Sequence, residues 1–99
     1  MGVRSRSSAG GAQNGLAVTA AVVSLTVPDA AMVATLFVRT APLVFKRDGN
    51  DPTATVGIQA NVGDIIELVS RDELDQMRMI EQTSTDSAVD VEYFTDISG

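Results

Sequence analysis

Two stretches of this sequence carry residue types dense enough to do chemistry. The first, FKRDGNDPTATVG (Phe45–Gly57), places two basic residues, two aspartates, an asparagine, two glycines and a proline within thirteen positions. Acids at alternate positions, with a bidentate glutamate at the twelfth, would make such a loop a calcium site. Counted from Asp48, the third position is Asn50, but the fifth is Pro52 and the twelfth is Gln59, so the most demanding ligand is missing. A phosphate loop needs Gly-Lys-Ser/Thr leading into a helix. Here Gly57 leads into Ile58 and an apparent strand. The stretch is therefore expected to be a hairpin connection, in which Asp and Gly supply the unusual backbone angles and Pro52 interrupts the ladder. Any binding by it would come from Lys46 and Arg47 facing a neighbour's acids.

The second stretch is the carboxylate run Asp72, Glu73, Asp75. Paired carboxylates can serve glycoside hydrolysis as acid and base or nucleophile. These three surround Ser70–Glu73, which has the form of a capping box, and no aromatic platform for a sugar lies near them in the sequence. They are expected to be a capped, solvated turn. The chain has neither Cys nor His. That removes disulfides, thiol nucleophiles, thiolate zinc sites and every arrangement that uses imidazole as a base. No catalytic, cofactor-binding or metal-binding residue is assigned, and the expectation is a protein that is not an enzyme.

Charge narrows the partners. The net charge is −6, against the clustered Lys and Arg that nucleic acid requires. It is unevenly placed: residues 1–47 carry +4, with Asp29 the one acid, and residues 48–99 carry −10, with Arg71 and Arg78 against twelve acids. Either a solvated acidic face accompanies a small basic arm, or the basic end of one subunit meets the acidic face of another. MGVRSRSS followed by LAVTAAVVSLTV has some features of a secretory signal, but GGAQNG interrupts it and no small-x-small cleavage site follows. No apolar run approaches the roughly 20 residues of a membrane span. The expectation is a soluble protein with neither nucleic acid nor membrane as a partner.

The elements that would position these groups are strands. Residues 1–15 are rich in Gly, Ser and Ala and are expected to be an extended N-terminal arm, held by its own domain or by a neighbouring subunit. Residues 16–99 are expected to form a single β-sandwich domain. LAVTAAVVSLTV (residues 16–27) is β-branched and evenly apolar, a strand or strand pair, with Val18 and Val22 on one face and Val23, Leu25 and Val27 on the other. MVATLFVRT, PLVFKR, TATVGIQ and DIIELVS follow as strands. One helical turn begins at Ser70, and MRMIEQT then fits a strand, with Met77 and Met79 opposite Arg78 and Ile80. AVDVEYF alternates most clearly, with Val89, Val91 and Tyr93 inward and Asp90, Glu92 and Phe94 outward. Asp86, Asp90, Glu92 and Asp96 would then guard an edge strand or, equally, face a basic partner. The fold class is all-β, a small sandwich or barrel of six to seven short strands with one helical turn.

The outer faces hold the remaining signal. Val23, Leu25, Val27, Phe37 and Phe94 cannot all point inward if their alternating neighbours do. They form either an exposed contact patch or the second covered face of a sandwich. Arg4, Arg6, Lys46, Arg47, Phe37 and Phe94 are the candidate partner-binding residues.

The succession Phe45, Asp48-Gly49, Pro52-Thr53-Ala54, Gly57, Gly63-Asp64, Leu68, Leu74, Arg78, Ile80, Val89, Val91 and Tyr93 resembles small accessory structural proteins of tailed bacteriophages. The resemblance covers about residues 36–94 and consists of turn residues and alternating apolar positions; residues 1–30 depart from it. It implies a virion protein without catalytic residues or cofactor, made in the host cytoplasm: a capsid decoration or cement protein, or a neck or tail component. The implied partners are other virion proteins, the major capsid or the neck and tail subunits. The chain would be a homo-oligomer, such as a trimer, or bound through lattice contacts. The alternative from another class is a receptor- or carbohydrate-binding β-module, which has only Tyr93 and three Phe for a platform.

Overall fold

In the computed structural model, which describes the backbone of residues 6–97 and the side chains of residues 12–95, period-two alternation decides how the chain layers. The described residues form strands β1 (Arg6–Val18), β2 (Val23–Ser24), β3 (Val33–Arg39), β4 (Leu43–Lys46), β5 (Ile58–Ala60) and β6 (Ile65–Leu68), helix α1 (Arg71–Gln76), and strands β7 (Arg78–Glu81) and β8 (Ser87–Ile97). The fold is all-β. One antiparallel sheet has the order β1-β8-β3-β6 and the other β2-β7-β4-β5.

Leu36 and Val38 on β3, Ile66 and Leu68 on β6, and Val89, Val91 and Tyr93 on β8 turn one face of the first sheet inward. Leu43 and Phe45 on β4, Ala60 on β5 and Met79 on β7 meet them from the second sheet, with Met77 and Leu74 closing one end. Each fully buried Leu or Met here contributes about 1.5–3 kcal/mol relative to exposure. Aliphatic side chains and two methionines fill the space that aromatics would otherwise take.

The predicted alternation holds on β3, β4, β6, β7 and β8, and one helical turn followed by a strand is what the 70–81 segment forms. Other expectations need correction. There are eight described strands rather than six or seven, and the 16–27 run takes the strand-pair form of its two expected alternatives. It ends β1 at Val18, bends through 19–22 and enters the other sheet as β2, so Val18 and Leu25 are both buried despite opposite parity. Val23 and Val27 pack partly buried against the same core, so the five-residue outer patch does not form. Of the extended arm expected over residues 1–15, residues 6–15 are held by the chain's own domain, lying in β1 and pairing with β8; residues 1–5 are outside the described residues. TATVGIQ contributes only Ile58 and Gln59 to a sheet, as the first two residues of β5, since Thr53 and Val56 close a separate tight bridge. Asp90 and Glu92 guard no edge: β8 lies between β1 and β3, and the terminal strands of that sheet are β1 and β6.

Candidate interaction surface

The Phe45–Gly57 stretch is a hairpin connection, with Phe45 opposite Ile58 in the β4–β5 register. The Asp48 carboxylate is used inside the loop. Asp48 Oδ1 accepts the N–H of Asn50 at 3.0 Å, an Asx turn, and Lys46 Nζ lies 3.7 Å from the same carboxylate. The Asn50 backbone N–H is the main reason that the Asp48 carboxyl is held below its ordinary range. The Gly49 N–H reaches Gln76 O at 3.2 Å, and Pro52 is fully buried, so the loop folds back onto the body. That return covers Val44, which points away from the core yet is 2% exposed. Gly57 makes the approach possible, since a Cβ there would lie 2.6 Å from Val44 Cγ1.

Two of the three acids in the carboxylate run, Glu73 and Asp75, are likewise bound within the scaffold. Ser70 caps α1 by accepting the N–H of Glu73 at 3.2 Å, and Glu73 Oε1 accepts the N–H of Val69 at 2.8 Å, which completes a capping box displaced by one residue. Asp75 pairs with Arg71 at 3.3 Å along one helix face. The Arg71 guanidinium also donates to the carbonyls of Pro28, Asp29 and Ala31 at 2.8, 3.0 and 3.0 Å, tying the β2–β3 connection to α1. Sequence inspection had no means to find this, because carbonyl partners leave no residue-type signature.

The four predicted contact residues with described side chains are split between the two sheets, Lys46 and Arg47 at the end of β4 and Phe37 and Phe94 on β3 and β8. Arg4 lies outside the described residues, and Arg6 is placed by its backbone alone, opposite Ile97. Lys46 ends β4, half-buried, while Arg47 is exposed with its guanidinium 5.7 Å from the centre of the Phe45 ring. Phe37 and Phe94 are half-buried on the outer face of the first sheet. Phe37 is opposite Asp90 and Phe94 opposite Val33, so they stand four residues apart along the ladder, roughly 13 Å at the ordinary strand rise.

Part of the exposed apolar surface gathers elsewhere. β5 ends the second sheet and β6 ends the first, and the turn 61–64 joins them. Between these two terminal strands the sandwich is open: a groove of about 290 Å³ has Phe45, Ala60 and Ile66 on its floor. Ile58 shares the inward face with its register partner Phe45, yet it is 48% exposed because no strand closes the layer beyond it. Ile65 stands on the rim at 59% exposure, and Val62, in the joining turn, is 55% exposed. Arg47 borders the β5 bank, and Asp64 and Glu67 border the β6 bank. The alternation in DIIELVS puts Ile65 outward, but nothing in the sequence says that β5 and β6 are terminal strands of different sheets.

Among the described residues, no group of three or more acids could hold a metal ion, and no helix is long and apolar enough to cross a membrane. No family model matches the chain, nor does any curated protein or solved structure.

Proposed function

We propose that this chain is a non-enzymatic structural protein of a virus particle, a capsid decoration or cement protein that stabilises the shell through protein–protein contacts. The observation that supports it is the open groove between β5 and β6, where aliphatic side chains stand exposed beside two terminal strands. Such surfaces serve association, since terminal strands offer backbone groups for pairing and the aliphatic groups gain by leaving water. The fate of the acids supports the non-enzymatic part: Glu73 and Asp75 hold α1, and Asp48 holds its own loop. The virion assignment itself rests on the resemblance over residues 36–94.

The test is mass spectrometry of purified particles from the host that carries the gene, with copy number referred to the major capsid subunit. A ratio near that of the capsid subunit supports decoration, and a ratio fitting a single ring moves the protein to the neck or tail. Absence from particles overturns the proposal. A hit on a glycan array would favour the receptor-binding alternative.

A further inference from the structure

We propose that the groove between β5 and β6 takes a second copy of this chain, forming a two-fold dimer. The proposal rests on treating the exposed aliphatic groove as a contact surface, and it names the occupant. A two-fold contact needs a surface complementary to itself, with projection and recess on one patch. This patch has both: Ile65 projects from the rim, and beside it lies a recess of about 290 Å³ floored by Phe45, Ala60 and Ile66. That volume has room for a branched aliphatic side chain.

Charge complementarity selects the axis. The two banks of the groove differ in sign, Arg47 on one and Asp64 with Glu67 on the other. With the two-fold axis along the groove, each copy's basic bank faces the acidic bank of the other. With the axis across it, like charges oppose, which disfavours that pairing. The arrangement also removes the exposed edges of β5 and β6 from water, where they would otherwise be open to indiscriminate pairing. The net charge of −6 on each copy opposes association at long range, so a micromolar rather than nanomolar dimer is expected.

Sedimentation equilibrium of the full chain from about 1 μM to about 1 mM tests this. The expected result is a reversible monomer–dimer equilibrium, with Ile65→Glu and Arg47→Glu each raising Kd at least about tenfold. Val22→Glu is the control. Val22 is 36% exposed and adjoins β2, the terminal strand at the opposite edge of the second sheet from β5, so Kd should stay within about twofold. Far-UV circular dichroism on each variant establishes that it folds; should Ile65→Glu fail, Arg47→Glu carries the test. A chain monomeric throughout, a trimer, a dimer indifferent to both groove substitutions, or equal weakening by Val22→Glu overturns the proposal. A monomer found on particles overturns the dimer alone. A groove-dependent dimer absent from particles overturns the virion reading alone.

Discussion

Arg39 on β3 and Asp90 on β8 meet at 2.8 Å between Nη1 and Oδ2, and the other carboxylate oxygen of Asp90 accepts the N–H of Gly15 on β1 at 2.7 Å. One side chain thus joins three adjacent strands. Gly15, at φ +70°, sits in the bulge between the Gln13–Val91 and Leu16–Val89 pairs, where Asn14 and Gly15 on one strand oppose Asp90 alone on the other. The bulge turns its spare N–H outward, and Asp90 satisfies it.

Asp90 should therefore make the fold acid-sensitive. Its carboxyl is held below the ordinary 3.8, first by the Arg39 hydrogen bond and then by the Gly15 N–H. The folded state binds this proton less readily than the unfolded chain, so stability is full above pH 3.8 and falls as pH drops through the folded value. Asp90→Asn should flatten that acid limb in urea titrations from pH 5 to pH 2 and lower stability at pH 7.

Glu81 should act with the opposite sign. It lies beside Asp86 across the β7–β8 turn, and sharing a proton with that carboxyl raises Glu81 above its ordinary 4.5. Here the folded state holds the proton more tightly, so stability falls as pH rises from 4.5 through the folded value. Either Glu81→Gln or Asp86→Asn should remove this slope in thermal melts between pH 4 and pH 7.

Tyr93 tests the inner seam between β1 and β8. Its hydroxyl donates to Gln13 Oε1, which also accepts the N–H of Thr26 at 3.1 Å. Tyr93→Phe leaves ring packing intact and should lower stability by about 1–2 kcal/mol in urea denaturation. Burial pushes the phenol up to about 12, so ultraviolet titration should show phenolate forming well above the ordinary 10.0. Stability should fall over the same alkaline window, because the unfolded chain releases that proton first.

Gly57 and Gly63 both have positive φ, +137° and +92°, but their surroundings differ. A Cβ at Gly57 would lie 2.6 Å from Val44 Cγ1 and 3.0 Å from the Phe45 carbonyl oxygen, whereas one at Gly63 would meet nothing within 4 Å. Gly63→Ala should lower stability by about 1–2 kcal/mol from backbone strain alone. Gly57→Ala should lower it further, by about 1–3 kcal/mol beyond that, because the loop must lift off Val44. Parallel denaturant curves for the two variants measure the difference.

The alternation in AVDVEYF and PLVFKR needs no tertiary information, because a pleated strand sends successive side chains to opposite faces whatever its neighbours are. The cap at Ser70 is equally local: side chain and receiving N–H lie within one turn of each other. Gln59 in place of a bidentate acid disqualified the Phe45–Gly57 loop as a calcium site, and the loop is a turn. Such features are legible along the chain, since each depends on groups a few positions apart.

Which strands are neighbours follows only from long-range packing. The 16–27 run has no feature marking a switch of sheet at residues 19–22, and the alternation slips there because the chain crosses between layers. Asp90 read as an edge guard or a group facing a basic partner, and the structure makes it the link between Gly15 and Arg39 of its own chain, seventy-five and fifty-one positions away. Ile58 has the parity of a core residue, yet half of it meets solvent because β5 and β6 end their sheets with nothing between them. Periodicity is a property of one strand, whereas a groove is a property of where two sheets stop, and sheet order is set by pairings between residues far apart in the chain.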